Sequence, residues 1–567
     1  LSDLPNLIAV ARGDTPADLV LANARIVNTF SGEIEVGNVA LYGERVAGVG
    51  DYTRAKEVID LEGKYLAPGL INGHVHLESS MLDVGQYARA VVPHGTAAIV
   101  TDLHEIANVS GLAGIRYVLE CARRLPFDLF LMAPSCVPAT HLETSGASLG
   151  PEEIKSILKF KECLGLGEVM NYPGVITGDE TMLAKLGAAG DRVRDGHAPD
   201  VSGKDLNAYL AAGISSDHES TALDEAAEKL RRGMYVMIRE GSTEKNLEAL
   251  LPMVTDATWP RCLLVVDDRH ADDVLHDGDI DAVVRKAIAL GLNPVRAVQL
   301  ATINPAVRFR LNGLGGIAPG YYANLIVLEG LHEFKIEAVY YRGRRVAQAG
   351  RPLFAAPQTR PGGLARTVNI KPFTVEDLKL KAAGESRPVI EVVPGQIITR
   401  RQLMKVRAVD GLVTPDISRD ILKAAVVERH HASGNIGLGL VTGFGLKKGA
   451  LASSTAHDSH NIVAVGASDA DIYAAVKEIE RMQGGQVVAA GGKIVASLAT
   501  PIAGLLSTKP LEQVVAAQEQ LERAARDLGV TLPAPFAALS FLALPVIPEL
   551  RLTDRGLVDV SEFKLIE

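Results

Sequence analysis

The sequence predicts an α/β protein: a (β/α)8 TIM-type barrel inserted in a small β-sandwich domain, followed by a C-terminal α/β domain. Three observations lead there. Eight apolar runs, each ending in polar residues able to bind a ligand, alternate with helical stretches from Leu70 to His270. Short β-like segments flank that region on both sides, and a further stretch long enough for its own core follows a Pro- and Gly-rich connection.

Residues 19–66 read as β segments (LVLANARIVN, GNVALYGERVAGVG, KEVIDLEGKYLAPG), with alternation and Gly-bearing turns. The eight runs are LINGHVHLE, TAAIVTDLHE, DLFLMAPSC, GLGEV, RVRDGHAP, GISSDHES, MYVMIREGS and CLLVVDDRH. Amphipathic helices lie between them. Ile115, Val118, Leu119 and Ala122 fall on one helical face, as do Leu223, Ala226, Ala227 and Leu230 in TALDEAAEKL. After the last run, GLGGIAPGYYANLIVLEG and EAVYYRGRRVAQAG return to β character. The expected division is a composite β domain (1–66 and 318–350), a barrel (67–317), a linker RPLFAAPQTRPGGLAR, and a C-terminal domain (367–567). An open doubly wound sheet is the alternative, but no G-x-G-x-x-G turn follows the first run.

The chain has 567 residues, 47% hydrophobic and 22% charged, which is ordinary for a soluble globular protein. A net charge of −10, from 58 basic and 68 acidic side chains, argues against nucleic acid as a partner. Four cysteines form no C-x-x-C pair, so reduced thiols in a cytoplasmic protein are expected. The opening residues carry acids and no long apolar run, so no signal peptide is read there. No segment approaches the roughly 18 apolar residues of a membrane span, so no membrane partner is expected. A homodimer is the default assembly.

The polar ends of the runs converge on one face of a barrel. His74 and His76, two apart on a strand, point to one side. Alone, such a pair is weak evidence for a metal. Glu168 ends the fourth run, His197 the fifth, His218 the sixth, and Asp267 with Asp268 the eighth. Each taken singly reads as a hydrogen-bonded core residue. Taken together they suit two divalent ions, with His74, His76 and Asp267 on one, His197 and His218 on the other, and Glu168 bridging.

PGLINGHVHLE, Glu168, His197, His218, Asp267 and GIAPGYYANLIVL resemble the metal-dependent amidohydrolase superfamily. HLESSML, TDLHEIANV, PSCVPA, GEVMNYPGVI, DGHAP, SGKDLNAYLAAGI, MIREGS, VDDRH and GFGLKKGALASSTAHDSHNIVAVG narrow the resemblance to the bacterial adenine deaminases, over nearly the whole chain. The resemblance implies hydrolysis of adenine to hypoxanthine and ammonia, with hydroxide attack at C6. It also implies two divalent ions, manganese or iron first and zinc as a further option. Glu168 stands where many hydrolytic members carry a carboxylated Lys, which tells against a hydantoinase or dihydroorotase.

Such chemistry needs carboxylates to move protons. Asp267 is the first choice as base and Glu219 as the shuttle to the ring, although Glu219 also reads as a group orienting His218. Asp268 is either a substrate contact or the ligand in place of Asp267. Glu78, Asp102, His104 and Glu105 are expected to support the ligands or to form an additional metal site. Arg239 and Glu240 either recognise purine edges or pair with each other at the rim. His457 and His460, three apart in AHDSHN, would share a helical face or lie solvated in a loop; the resemblance places them in a domain over the barrel mouth. Two other readings stand: another cyclic amidine or amide hydrolase, and a non-catalytic scaffold, against which the complete ligand set argues.

Overall fold

A computed structural model describes residues 3–357 and 360–566; Gln358 and Thr359, within the segment read as linker, lie outside the described residues. Eight parallel strands build the barrel: β1 (Leu70–Asn72), β2 (Thr96–Thr101), β3 (Asp128–Ala133), β4 (Cys163–Val169), β5 (Val193–Gly196), β6 (Ser216–Asp217), β7 (Tyr235–Arg239) and β8 (Cys262–Val265). Strands β1 to β5 pair in sequence, as do β6 to β8. The ring closes where Asp267–Asp268 pairs in parallel with Val75–His76. There the Asp267 amide donates to the His74 carbonyl at 3.1 Å, so two candidate ligands are fixed by the closure itself.

Both faces of these strands are buried, which is why the runs are nearly continuous in apolar residues. Ala98 and Val100 of β2 pack inside the barrel with Ile71, Met132, Met237 and Leu263. The intervening Ile99 joins the outer core beneath the helices. One end of the interior is closed by Phe309, Leu311 and Leu314, leaving the other end for polar side chains.

The flanking β segments form one nine-stranded sheet. Leu325–Leu328, after the barrel, pairs antiparallel with Tyr65–Pro68, before it. Leu21, Ile26, Val39, Leu66, Leu325 and Val327 give this sheet its own core. The C-terminal region is an eight-stranded, mostly antiparallel sheet with the helices Asp469–Met482 and Leu511–Asp527. It touches the barrel directly: the Ser507 amide donates to the Met81 carbonyl at 2.7 Å, and the Thr144 amide and hydroxyl both donate to Asp554.

One helical stripe differs from expectation. In the helix Leu223–Arg231, Leu223 is 42% exposed, and the buried side chains are Ala226 and Lys229. A lysine can occupy that face because Asp217 and Glu225 neutralise it there. Among the described residues, no helix is long and apolar enough to cross a membrane.

Candidate metal centre

Glu168, at the end of β4, has a carboxylate that faces two groups of imidazoles. Its Oε1 lies 3.4 Å from His76 Nε2, and its Oε2 lies 2.9 Å from His197 Nδ1 and 3.3 Å from His218 Nε2. Asp267 Oδ1 in turn stands 3.4 Å from His74 Nε2 and 3.2 Å from His76 Nε2. The His74 ring stacks on His218 with centroids 4.0 Å apart, joining the two groups. Close packing at the strand ends makes this possible. A Cβ on Gly167, beside Glu168, would lie 2.6 Å from the Asp102 Cβ and 3.1 Å from the Ala133 carbonyl oxygen, so only glycine lets β4 approach its neighbours here.

Apart from the 2.9 Å contact of His197 with Glu168, which has hydrogen-bond length, the spacing of these atoms fits metal ligation better than hydrogen bonding. Charge-assisted N–H···O bonds close to about 2.7–2.9 Å. Donors held at about 2.0–2.1 Å around one tetrahedral ion instead sit about 3.3–3.4 Å from each other. His74 Nε2 is buried and has no hydrogen-bond partner among the described residues, although it points at Asp267. The donor sets His74–His76–Asp267 and His74–Glu168–His218 each converge within 4.8 Å. One ion could be held by His74, His76, Asp267 and Glu168 Oε1, and a second by His197, His218 and Glu168 Oε2.

The electrostatics agree. Burial by itself lowers the His76 pKa, but Asp102 and Asp267 override it and raise it well above the ordinary value. Burial likewise opposes ionisation of Glu168 and Asp267, yet the surrounding histidines hold both well below the usual carboxylate range. A cage this negative takes up cationic charge, and protons and metal ions compete for the same imidazole nitrogens.

The amidohydrolase family model matches residues 65–346, and the model for the adenine deaminase C-terminal domain matches residues 396–564. An adenine deaminase of Dehalococcoides mccartyi is 60% identical over 565 residues, covering 100% of this chain and 99% of its own. This chain belongs to the adenine deaminase family. Adenine deaminase 2 of Carboxydothermus hydrogenoformans is 49% identical, with 100% of this chain and 99% of the relative covered. Among solved structures, a β-aspartyl dipeptidase of Fervidobacterium islandicum AW-1 aligns with 61% of this chain and 100% of its own at 16% identity and a TM-score of 0.46.

Around the centre of this adenine deaminase family member, Asp102 and His104 stand with His76 and Glu168 in one buried group of four. His104 Nδ1 donates to Asp102 at 2.9 Å. Glu219 and Asp267 share the Arg239 guanidinium: Nη2 donates to Glu219 Oε2 at 3.0 Å and Nη1 to Asp267 Oδ2 at 3.0 Å, with Glu219 Oε1 also on Nη1. Burial raises the Glu219 pKa, but Arg239 outweighs it and holds the group far below its ordinary value.

Of the two readings of Arg239 and Glu240, the ion pair with each other at the rim is corrected. Side chains of successive strand residues point to opposite faces, and Glu240 pairs instead with Lys286, away from the donor groups. Asp268 also leaves the ligand cluster and accepts from the Ser79 hydroxyl, while Asp267 faces the histidines. Glu78 is buried with one oxygen unpartnered among the described residues, and burial followed by the Glu105 charge pushes its pKa up to about 7.

The segment AHDSHN is neither a helix nor a solvated loop. It is a turn pressed against the barrel, where His457 Nδ1 and His460 Nε2 both contact Glu105. His457 stacks on Phe541, centroids 4.7 Å apart. Together with Gln486 they face Ser79, Thr243 and Asp268 across a cleft at the barrel mouth.

Three groups escaped the sequence reading. Asp195 backs His74, 3.7 Å from its Nδ1; its place two residues before His197, on the same strand face, was an available signal. Asp458, inside AHDSHN, is buried 3.8 Å from His104 Nε2. Asp217 Oδ1 accepts the Ala198 amide, beside His197, and its Oδ2 pairs with Lys229 at 2.8 Å, so one buried ion pair pins the ends of both β5 and β6. Lys229→Met is expected to destabilise the fold by about 3–5 kcal/mol by leaving Asp217 unpaired. Metal affinity should weaken by about 10–100-fold, as when groups behind ligands are removed. Chemical denaturation and metal titration measure the two effects, and unchanged values in both would refute the pinning role.

Proposed function

We propose that this chain hydrolyses adenine to hypoxanthine and ammonia, using two divalent ions, manganese or iron, held by His74, His76, Glu168, His197, His218 and Asp267. The observation that carries the reading is the Glu168 carboxylate, whose two oxygens serve two imidazole groups, in a chain similar over its full length to adenine deaminases. When bound, such ions would lower the pKa of water toward neutrality and so supply the nucleophile.

The chain's own side chains account for the protons. Replacing the 6-amino group by oxygen requires one proton on ring N1 and one on the departing amine, both drawn ultimately from the attacking water. A group that receives these protons must start as a carboxylate, which is how Arg239 holds Glu219 and Asp267. Glu219 carries one proton to N1, and Asp267 carries the other to the amine. The cleft suits a planar purine: Phe541 and His457 give it an aromatic side, while Asp268 and Gln486 offer hydrogen bonds to ring edges. The C-terminal domain, by covering this mouth, limits the entry of bulk water.

Adenine turnover is expected in the presence of Mn2+, with a parallel release of ammonia. Chelator-stripped protein should lose the activity and regain it with Mn2+ or Fe2+. Turnover that persists in stripped protein, or activity on a hydantoin or dihydropyrimidine but not on adenine, would overturn the proposal.

A further inference from the structure

We propose a third cation site, separate from the two-ion centre, at the seam between the barrel and the C-terminal domain. Its ligands would be His104 Nε2, the Glu105 carboxylate and the Asp458 carboxylate. These three converge within 4.8 Å, and all are buried. The first two come from the chain just after β2, and the third from the turn that follows the strand Ala450–Ser453.

Asp458 carries the argument. It is 2% exposed, its Oδ2 has no hydrogen-bond partner among the described residues, and its Oδ1 is 3.8 Å from His104 Nε2 and 4.0 Å from His457 Nδ1. Both distances exceed a hydrogen bond. A buried carboxylate oxygen without a partner is costly, and the fold retains this one beside Glu105, whose own oxygens face His457 Nδ1 and His460 Nε2. A cation placed between the two carboxylates satisfies the open Asp458 oxygen.

The imidazoles agree on which atom faces it. His104 Nδ1 lies 2.9 Å from Asp102 Oδ1 and 3.3 Å from Glu168 Oε1, and both oxygens only accept, so Nδ1 carries the proton. Its Nε2 lone pair then points at Glu105 Oε1, 3.2 Å away, and toward Asp458. A carboxylate–imidazole–cation chain of this kind is how metal-binding histidines are usually oriented. His460 is excluded as a ligand: its Nδ1 accepts the Ala456 amide at 3.1 Å, so its Nε2 holds the proton and faces Glu105 as a donor. Carboxylate oxygens with one imidazole suit Mn2+ or Zn2+. Because the ligands come from two domains, the ion would fasten the domain over the cleft.

Mn2+ content by mass spectrometry on fully reconstituted full-length protein tests this. The expected values are three ions per chain in the wild type and two in Asp458→Asn, with the weakest binding phase lost. The Mn2+-dependent rise in Tm associated with that phase should vanish in the variant. Two ions per chain in the wild type at saturating Mn2+, or three retained in Asp458→Asn, would overturn the site. Neither result would touch the two-ion centre, which Glu168→Gln probes separately. If Asp458→Asn does not fold, Mn-edge anomalous scattering from wild-type crystals decides: a peak between Asp458 and Glu105 supports the site. Peaks confined to the surroundings of Glu168 refute it.

Discussion

Glu168→Gln is expected to reduce kcat/KM for adenine by about 10³ or more, equivalent to about 4 kcal/mol of transition-state stabilisation. The substitution preserves shape but turns one of two acceptor oxygens into an NH2 donor. Glu168 Oε1 faces His76 and Oε2 faces His197 and His218, so whichever way the amide turns, one group of imidazoles meets a donor. Metal content should fall from two ions toward one at this centre, while circular dichroism remains that of the wild type. Full activity with both ions retained would show that Glu168 does not bridge.

Arg239→Gln has the second largest expected effect, and it falls first on stability. Arg239 is 4% exposed, and its guanidinium serves Glu219, Asp267 and the Asn246 side chain at once. Its removal leaves two buried carboxylates without their shared counterion, at a cost of about 3–5 kcal/mol. The pH dependence has a definite sign in the metal-free protein. Both carboxylates have folded-state pKa values depressed below ordinary ones. Their contribution is therefore fully present above their unfolded values near about pH 4, and is lost as pH falls through the folded ones. The gap between wild type and variant should be constant from neutrality down to about pH 5 and should narrow below about pH 4. A gap that widens in acid would contradict the pairing. Activity should fall as well, because Glu219 and Asp267 would no longer be held ionised.

How much of this was legible beforehand depended on the kind of signal. Strand ends are local: an apolar run followed by a ligand-capable residue identifies itself, and eight of them in order imply a ring. His74, His76, Glu168, His197, His218 and Asp267 were therefore readable together. Asp267 and Asp268 could not be separated in that way. Barrel closure distinguishes their surroundings: it pairs Asp267–Asp268 with Val75–His76 and leaves Asp267 facing the histidines while Asp268 takes the Ser79 hydroxyl. Lys229 was missed for a related reason. A lysine on a helix reads as solvated until the packing shows Asp217 and Glu225 waiting for it.

The sequence by itself determined the α/β class, the order of the eight runs and the types of side chain offered at their ends, because alternation and strand-end chemistry are written in neighbouring residues. The tertiary structure alone decided what those side chains meet: Arg239 between Glu219 and Asp267 rather than beside Glu240, and the His457–His460 turn against Glu105, more than 350 positions away in the chain. Contacts of that range depend on how two layers distant in sequence come together, and no local pattern encodes the approach of one surface to another.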